Sequence, residues 1–301
     1  MKRKYIVTLL LIAAATTSFF GCKNGLTMFE QIEQETKLED AVITGTVNSV
    51  VQCNNKLYAS DGNIYTKDAS AVRGWSKIGS PAGTIIKLAA DTSGLYALNK
   101  DRELYFLGKD SGTWQLVPTS TVGTVETIFC DGLQTAYLKA RDGKFYKISG
   151  VTSLQEDSIT SAVMVKTKGG NDTYTASGGT ITGTSSVSSP PPSLGSVSGL
   201  GTVYSLTYSE VDTALYAGTS KGLKKLPVSK DDGKLTGAKL DPPGNWGATI
   251  KSYEAFAVLA TGTSGTDAAL YTSTISSGSD YSKVNGLWGY YYSRRDTWNR
   301  E

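Results

Sequence analysis

The residue types that most often perform catalysis are scarce in this chain, and histidine is absent from its 301 residues. That absence excludes Ser-His-Asp and Cys-His catalysis, histidine metal sites and histidine-based pH switches. Besides Cys22, the sequence has only Cys53 and Cys130, and two cysteines alone cannot make a zinc site. They could form one disulfide or remain two separate buried thiols, and the sequence does not decide between these arrangements.

Carboxylates are the remaining candidates for chemistry, because paired Asp or Glu side chains can hydrolyse glycosidic bonds or bind calcium. The sequence contains no acidic pair with a recognisable catalytic spacing. Asp61-Gly62-Asn63 and Asp231-Asp232-Gly233 offer oxygen ligands, but neither has the spacing of an EF-hand loop. Such Asp-Gly sequences are typical of hairpin turns, so we predict no bound metal.

An aromatic and basic cluster lies near the C-terminal end of the sequence. It comprises Trp288, Tyr290, Tyr291, Tyr292, Arg294 and Arg295. Since Tyr, Trp and Arg dominate binding hot spots, we predict that this cluster forms a binding surface for a protein or glycan ligand. Alternate residues of a strand face opposite sides, so half of it would lie in the core, with Tyr290 and Tyr292 on one side and Tyr291 on the other.

The turn at residues 109–114 resembles a shortened Asp-box, the Ser-x-Asp-x-Gly-x-Thr-Trp turn of sialidase-like propellers. In those families the aspartate ties the hairpin and the tryptophan packs between blades. The resemblance therefore implies a structural role for Asp110, Gly112 and Trp114. It does not imply sialidase activity, which would also need an arginine triad that we cannot place in this sequence.

The N-terminal residues have the pattern of a bacterial export signal. A basic start at Met1–Lys4 precedes the apolar stretch Tyr5–Phe20, which is shorter than the ~20 residues of a bilayer span. Phe19-Phe20-Gly21-Cys22 resembles a lipobox, which implies a signal peptide over residues 1–21 and acyl chains on Cys22. That covalent lipid is the one cofactor we predict, and it would make a lipid membrane a partner. The alternative is an ordinary signal peptide with a chance cysteine.

Residues 22–44 read as a spacer between the anchor and the folded domain. Phe29, Ile32 and Leu38 recur among glutamates, a spacing that predicts a short helix with one weak apolar stripe. The segment is too acidic to be a membrane-surface helix.

A repeated unit occupies residues 45–301. Its copies open with Gly-Thr-Val or a close variant, at Gly45, Gly83, Gly123 and Gly201. A tyrosine follows roughly thirteen residues after each opening. These tyrosines are Tyr58, Tyr96, Tyr137, Tyr174, Tyr216 and Tyr271. Several copies end in a short strand with tryptophan, as at Trp75, Trp114 and Trp298.

Four short strands per ~40 residues, with Gly, Asp, Asn and Ser turns, are typical of a propeller blade. Six copies, starting near Gly45, Gly83, Gly123, Ser161, Gly201 and Ala248, predict an all-β propeller of six four-stranded blades. Seven blades or a β-sandwich are the alternatives. We expect the first strand of each blade to be the most continuously apolar, because it lines the crowded centre.

One stretch departs from the repeat. Residues 175–199 are rich in Ser, Thr, Gly and Pro, so we predict a disordered-like insertion in the fourth blade. It would be either a ligand loop or a tolerated surface insertion. The net charge of +3 includes the basic signal residues, and without a basic stripe we expect no nucleic-acid partner.

The lipobox, the acidic spacer, the Gly-Thr-Val openings and the segment from Gly286 to Arg300 together resemble uncharacterised lipoproteins of spirochaetes, notably treponemes. The resemblance implies a cell-envelope location, on either the periplasmic or the surface side, and no mechanism. Our first hypothesis is a non-enzymatic module that binds a protein or glycan through a propeller face. The alternative is a carbohydrate-active hydrolase or lyase with paired carboxylates, since propellers host both.

Overall fold

The computed structural model describes residues 41–43, 45–167, 169–244, 253–276, 284–294 and 298–301. The predicted signal peptide, Cys22, most of the spacer and Arg295 therefore lie outside the described residues. Within the described ranges, no helix is long and apolar enough to cross a membrane. Ile43–Glu301 form one compact unit.

Twelve strands form the first three sheets, and each sheet uses strands that are consecutive in the chain and pair antiparallel. Blade 1 contains β1 (Ser49–Cys53), β2 (Lys56–Ser60), β3 (Ile64–Asp68) and β4 (Ser76–Ile78). Blade 2 contains β5 (Ile85–Ala90), β6 (Gly94–Asn99), β7 (Leu104–Gly108) and β8 (Gln115–Leu116). Blade 3 contains β9 (Val125–Cys130), β10 (Ala136–Ala140), β11 (Phe145–Ser149) and β12 (Ser153–Asp157).

The remaining strands form three more sheets in the same consecutive order. Blade 4 contains β13 (Met164–Lys166), β14 (Asp172–Ser177), β15 (Thr180–Ser185) and β16 (Ser193–Val197). Blade 5 contains β17 (Val203–Ser209), β18 (Ala214–Thr219) and β19 (Gly222–Pro227). Blade 6 contains β20 (Glu254–Thr261), β21 (Ala269–Ile275), β22 (Gly286–Tyr291) and β23 (Trp298–Arg300). In blade 5, Leu240 bridges to Lys225 at the place of a fourth strand.

The first strands of the six blades surround a narrow central channel, to which every blade contributes a wall. Side chains tie neighbouring blades there: Leu88 N donates to Ser49 Oγ at 3.0 Å, and Ala260 N donates to Thr207 Oγ1 at 3.0 Å. β1 packs against β20, which closes the ring. The predicted six-bladed propeller is confirmed, and the seven-bladed and sandwich alternatives are wrong.

In blades 2, 3, 5 and 6 the second strand is more completely buried than the first, whereas in blades 1 and 4 the first strand is the more buried of the two. All residues of β6 and β18 are buried, whereas four of the seven residues of β17 are partly exposed. The first strand borders the channel along one edge, which leaves part of it exposed. The second strand has a hydrogen-bonded neighbour on each edge and a blade on each face.

The recurrent tyrosines lie on these second strands. Tyr96, Tyr174, Tyr216 and Tyr271 are fully buried, and burial is the main cause that raises the pKa of each. Each hydroxyl nevertheless has a partner: Tyr96 OH donates to Asp91 Oδ2 at 2.8 Å, for example. A ring with one polar end fills the space between blades and still satisfies its hydroxyl, which explains why the repeat selects tyrosine.

Residues 175–199 are not an insertion. They contain the end of β14 and all of β15 and β16, which complete blade 4. The prediction is wrong because small residues occupy the outward positions while Ile181, Leu194 and Val197 point into the core. Half-buried strands accommodate Thr and Ser, so the low apolar content of residues 175–199 did not mean that they lack secondary structure.

Cys53 and Cys130 are separate free thiols in blades 1 and 3. Burial raises the pKa of Cys53 to about 11, with Asp91 contributing. This thiol stays protonated at neutral pH, and a protonated thiol is a poor nucleophile.

Candidate binding face

One face of the propeller carries the hairpins that join the first strand of each blade to the second. We call it the mouth face, because the central channel opens there. Its hairpins span residues 54–55, 91–93, 131–135, 167–171, 210–213 and 262–268. The hairpins between third and fourth strands lie on the same side, because neighbouring strands are antiparallel. Three cavities open among these hairpins.

The central cavity has a volume of about 410 Å³ and receives side chains from all six blades. Blade 1 contributes Gln52, blade 4 contributes Lys166 and blade 6 contributes Asp267. Lys166 Nζ lies 3.4 Å from the buried carboxylate of Asp131. Burial opposes the charge of this ammonium, but Tyr137 and Asp131 raise its pKa, so it remains a cation beside the opening.

A second cavity of about 540 Å³ lies between blades 4 and 5 and is acidic. Its carboxylates are Asp172, Glu210, Asp231 and Asp232, beside the rings of Tyr174 and Tyr208. Tyr208 and Glu210 also line the central cavity, so the two cavities are adjacent. Hydrogen bonds from Lys234, Ser229 and the backbone lower the pKa of Asp232 to about 2.

The third cavity, of about 740 Å³, lies between blades 1 and 2 and includes the Asp-box-like turn. Trp114 Nε1 donates to Gly79 O at 2.8 Å, and its ring packs against buried residues of blades 1 and 2. Asp110 is exposed and makes no hydrogen bond among the described residues. Ser111 ties the hairpin instead, since its hydroxyl contacts both N and O of Thr113 at 3.2 Å.

That turn also imposes no steric need for glycine, because a Cβ at Gly112 would meet no atom within 4 Å. The structural roles inferred for Asp110 and Gly112 are therefore wrong, whereas Trp114 packs against residues of both blades. In this shortened turn, the side-chain hydrogen bonds that stabilise the hairpin come from Ser111 instead of Asp110.

The aromatic cluster near the end of the chain is mostly core. Tyr290 and Tyr291 are each only 5% exposed, because β22 is packed between neighbouring blades. Tyr290 and Tyr292 do share one side, with ring centroids 5.2 Å apart, while Tyr291 packs on the other. Trp288 is half-buried, and its Nε1 donates to Val284 O at 3.0 Å. The predicted binding surface is wrong for these rings, although Arg294 is exposed.

Two buried networks that involve these rings are absent from the sequence predictions. In the first, Lys67 Nζ lies 2.9 Å from Glu301 Oε2 and donates to Tyr291 OH at 2.6 Å. The ring centroids of Trp75, Tyr271 and Tyr291 surround the ammonium at 4.8–5.1 Å. Burial lowers the pKa of Lys67, and Glu301 partly offsets that effect. We call this group the ring latch, because it joins blade 1 to blade 6.

The second network centres on Asp212. Its carboxylate accepts hydrogen bonds from Tyr216 OH, from Tyr292 OH and from Lys225 Nζ, the last at 2.8 Å. Burial opposes its negative charge, but Lys225 and the two hydroxyls lower its pKa on balance. The sequence contains a signal for such a contact: an aspartate stands four or five residues before the recurrent tyrosine, as Asp212 does before Tyr216 and Asp91 before Tyr96.

The described residues include no group of three or more Cys, Asp or Glu side chains placed to hold a metal ion. Asp61 serves its own hairpin: its carboxylate accepts from Asn63 N at 3.2 Å and from Tyr65 OH at 3.3 Å.

The closed ring of six sheets and its open mouth face define the class of this protein as a six-bladed β-propeller. Two solved structures resemble this fold. A luciferin-regenerating enzyme matches with a TM-score of 0.56 and 12% identity, covering 84% of this chain and 92% of the enzyme. The β-propeller domain of Myceliophteria thermophila Cps50 (Swd1) matches with a TM-score of 0.52 and 11% identity, covering 87% and 88%. At such identities the likeness concerns the fold alone.

Sequence comparison identifies the family. Residues 3–222 match the TP013X lipoprotein family, and the chain belongs to it. An uncharacterized lipoprotein of Treponema pallidum (strain Nichols) is 32% identical over 100 residues, which are 33% of this chain and 25% of that relative. The chain thus matches about a quarter of the relative's length. The resemblance to treponemal lipoproteins is confirmed.

Proposed function

We propose that this protein is a membrane-anchored binding module of the bacterial cell envelope. Acyl chains on Cys22 hold it to a membrane, and the mouth face of the propeller binds a protein or glycan without chemical turnover. Membership of a lipoprotein family supports the anchor. More than one acyl chain makes membrane attachment stable.

The observation that carries the binding role is the pair of adjacent cavities on the mouth face. The central and acidic cavities share Tyr208 and Glu210 in their walls, and ligand sites are usually concave surfaces of ~300–1,000 Å³ with a few convergent polar groups. Rigid blades hold the hairpins that line these cavities, which is the usual arrangement of binding loops on a scaffold.

The acidic cavity is the one feature that favours a carbohydrate-active hydrolase, because it places carboxylates beside tyrosine rings. A general acid needs a raised pKa. The carboxyl groups with shifted pKa values near the mouth, Asp232 and Asp267, are shifted downward by hydrogen bonds. A chain without histidine has no other common proton carrier near neutral pH. Binding is therefore the better-supported role.

Photo-crosslinking on cells can test which face binds. We expect p-benzoylphenylalanine in place of Glu210 to give far more adduct than the same group in place of Asp142, because the photoreactive group reacts only with atoms that it contacts. Both residues are exposed carboxylates on hairpins, but Asp142 lies on the opposite face. The measurement is the yield of adduct with and without an excess of untagged protein.

Competition by untagged protein should remove the adduct at Glu210. Equal yields at the two positions, or no competed adduct at either, would contradict a binding role for the mouth face.

A further inference from the structure

The cleft between blades 1 and 2 differs in chemistry from the rest of the mouth face. Its walls are the β1–β2 hairpin of blade 1, residues 78–81 after β4, and the hairpin at residues 108–114 of blade 2. Its volume of about 740 Å³ lies within the usual range of ligand sites. The cleft and the acidic cavity have no lining residue in common.

Two aromatic rings line this cleft. The indole of Trp114 is half-buried and is held in place by its hydrogen bond to Gly79 O. Tyr58 is also half-buried, and burial raises the pKa of its hydroxyl, which therefore stays a hydrogen-bond donor. Rings that are fixed before binding lose little conformational entropy when a ligand stacks on them.

Amide groups stand at the rim beside these rings. Asn54 occupies the tip of the β1–β2 hairpin in the left-handed conformation, with φ of 53°, and Asn55 follows it. Both residues are exposed. The side chain of Asn55 has no hydrogen-bond partner in the part of the chain that the structure describes. An amide supplies both donors and an acceptor, as recognition of sugar hydroxyls requires.

The charges of the cleft are all positive. Lys56 and Lys109 line it and are exposed, and neither forms an ion pair with a described residue. No carboxylate is among the residues that line the cleft. The acidic cavity on the same face has the opposite balance. Charge complementarity therefore selects an anionic ligand for this cleft.

We propose that the cleft between blades 1 and 2 binds an anionic oligosaccharide that carries carboxylate or sulfate groups. Trp114 and Tyr58 stack against pyranose rings, Asn54 and Asn55 bind sugar hydroxyls, and the two lysines neutralise the acidic groups. This inference rests on the proposed binding function and assigns one ligand class to a separate part of the same face.

The test uses the full-length protein in micelles of a polyoxyethylene detergent, which contains no sugar. Calorimetric titration with a heparin-derived hexasaccharide should give saturable binding, and neutral cellohexaose should bind at least about tenfold more weakly. Replacing both lysines, by Lys56→Gln and Lys109→Gln, should weaken hexasaccharide binding about tenfold. Trp114→Leu, which keeps an apolar side chain but removes the flat ring, should weaken it by a similar factor.

Lys147→Gln is the matched control, because Lys147 is an exposed lysine of β11 that lines none of the three mouth-face cavities. It should change hexasaccharide affinity less than about twofold, and unchanged thermal unfolding would show that each variant is folded. Equal losses from Lys147→Gln and from the cleft variants, equal binding of the neutral sugar, or no binding would overturn the assignment. Crosslinking at Glu210 is independent of this cleft, so its result would still report on the proposed function.

Discussion

Glu301→Gln is expected to lower the free energy of unfolding by about 3–5 kcal/mol, the usual cost of removing one partner of a buried ion pair. The Lys67 side chain is 0% exposed and the Glu301 side chain 3% exposed, so the substitution leaves a buried ammonium without its counter-charge. Trp75 Nε1 and Tyr291 OH also donate to this carboxylate, at 2.7 Å each.

The large effect follows from where the ring latch lies. Every blade is built from consecutive strands, so among the described residues no strand is exchanged between the first blade and the last. Glu301 follows β23 of blade 6, and Lys67 lies on β3 of blade 1. Together with the apolar contacts between β1 and β20, this ion pair joins the two ends of the ring.

Urea unfolding of the wild type and of Glu301→Gln measures this effect. The control is Glu156→Gln, which breaks the exposed 3.1 Å pair with Lys144, whose partners are 52% and 57% exposed. An exposed pair contributes at most about 1 kcal/mol. Similar losses for the two variants would contradict the role of the latch. Replacing both partners, by Lys67→Met with Glu301→Leu, should recover part of the loss.

Asp212→Ala has the second-largest expected effect, a loss of about 3 kcal/mol near neutral pH. It would remove the acceptor that the hydroxyls of buried Tyr216 and half-buried Tyr292 share, and it would leave Lys225 without its counter-ion. Unsatisfied buried groups typically cost ~1–3 kcal/mol each, and partial exposure of Lys225 reduces its share.

The dependence on pH identifies the carboxylate as the cause. Because the pKa of Asp212 is lowered in the folded protein, its stabilisation is fully present above the ordinary aspartate pKa of ~3.9. It is lost as the pH falls through the lower folded value. The gap in unfolding free energy between the wild type and Asp212→Asn should therefore be largest near pH 7 and should narrow below about pH 4.

Thermal unfolding at a series of pH values checks this expectation, with Asp142→Asn as the control. Asp142 is exposed and accepts only the backbone N–H of Lys144, so its substitution should matter little at any pH. A gap for Asp212→Asn that stays constant from pH 3 to pH 7 would show that lost packing, rather than lost charge, destabilises the variant.

The propeller could be predicted because each blade contains the same few residue types at similar positions along the sequence. Gly-Thr openings, a buried tyrosine on the second strand and a tryptophan near the fourth recur at a nearly fixed spacing. Residues 175–199 misled the prediction because their composition resembles a linker. Alternation in β15 and β16, with Ile181 and Leu194 buried, was the better guide.

The candidate site could not be read from the sequence because it forms only when the ring closes. Gln52 and Asp267 line the same cavity although they belong to blades 1 and 6. Nothing in the sequence around Lys67 marks it as buried, and its partner Glu301 is distant in the chain. The aromatic cluster does not form a binding surface because both faces of β22, the third strand of blade 6, are packed against other parts of the propeller.

The anchor at Cys22 is the central claim, and phase partitioning of the full-length protein in Triton X-114 tests it most directly. The wild type should enter the detergent phase, and Cys22→Ala should move to the aqueous phase because it cannot be acylated. Cys53→Ala, which alters a buried thiol of the propeller, should still partition with detergent. If Cys22→Ala stays in the detergent phase, the protein is not held to the membrane by a lipid on that cysteine.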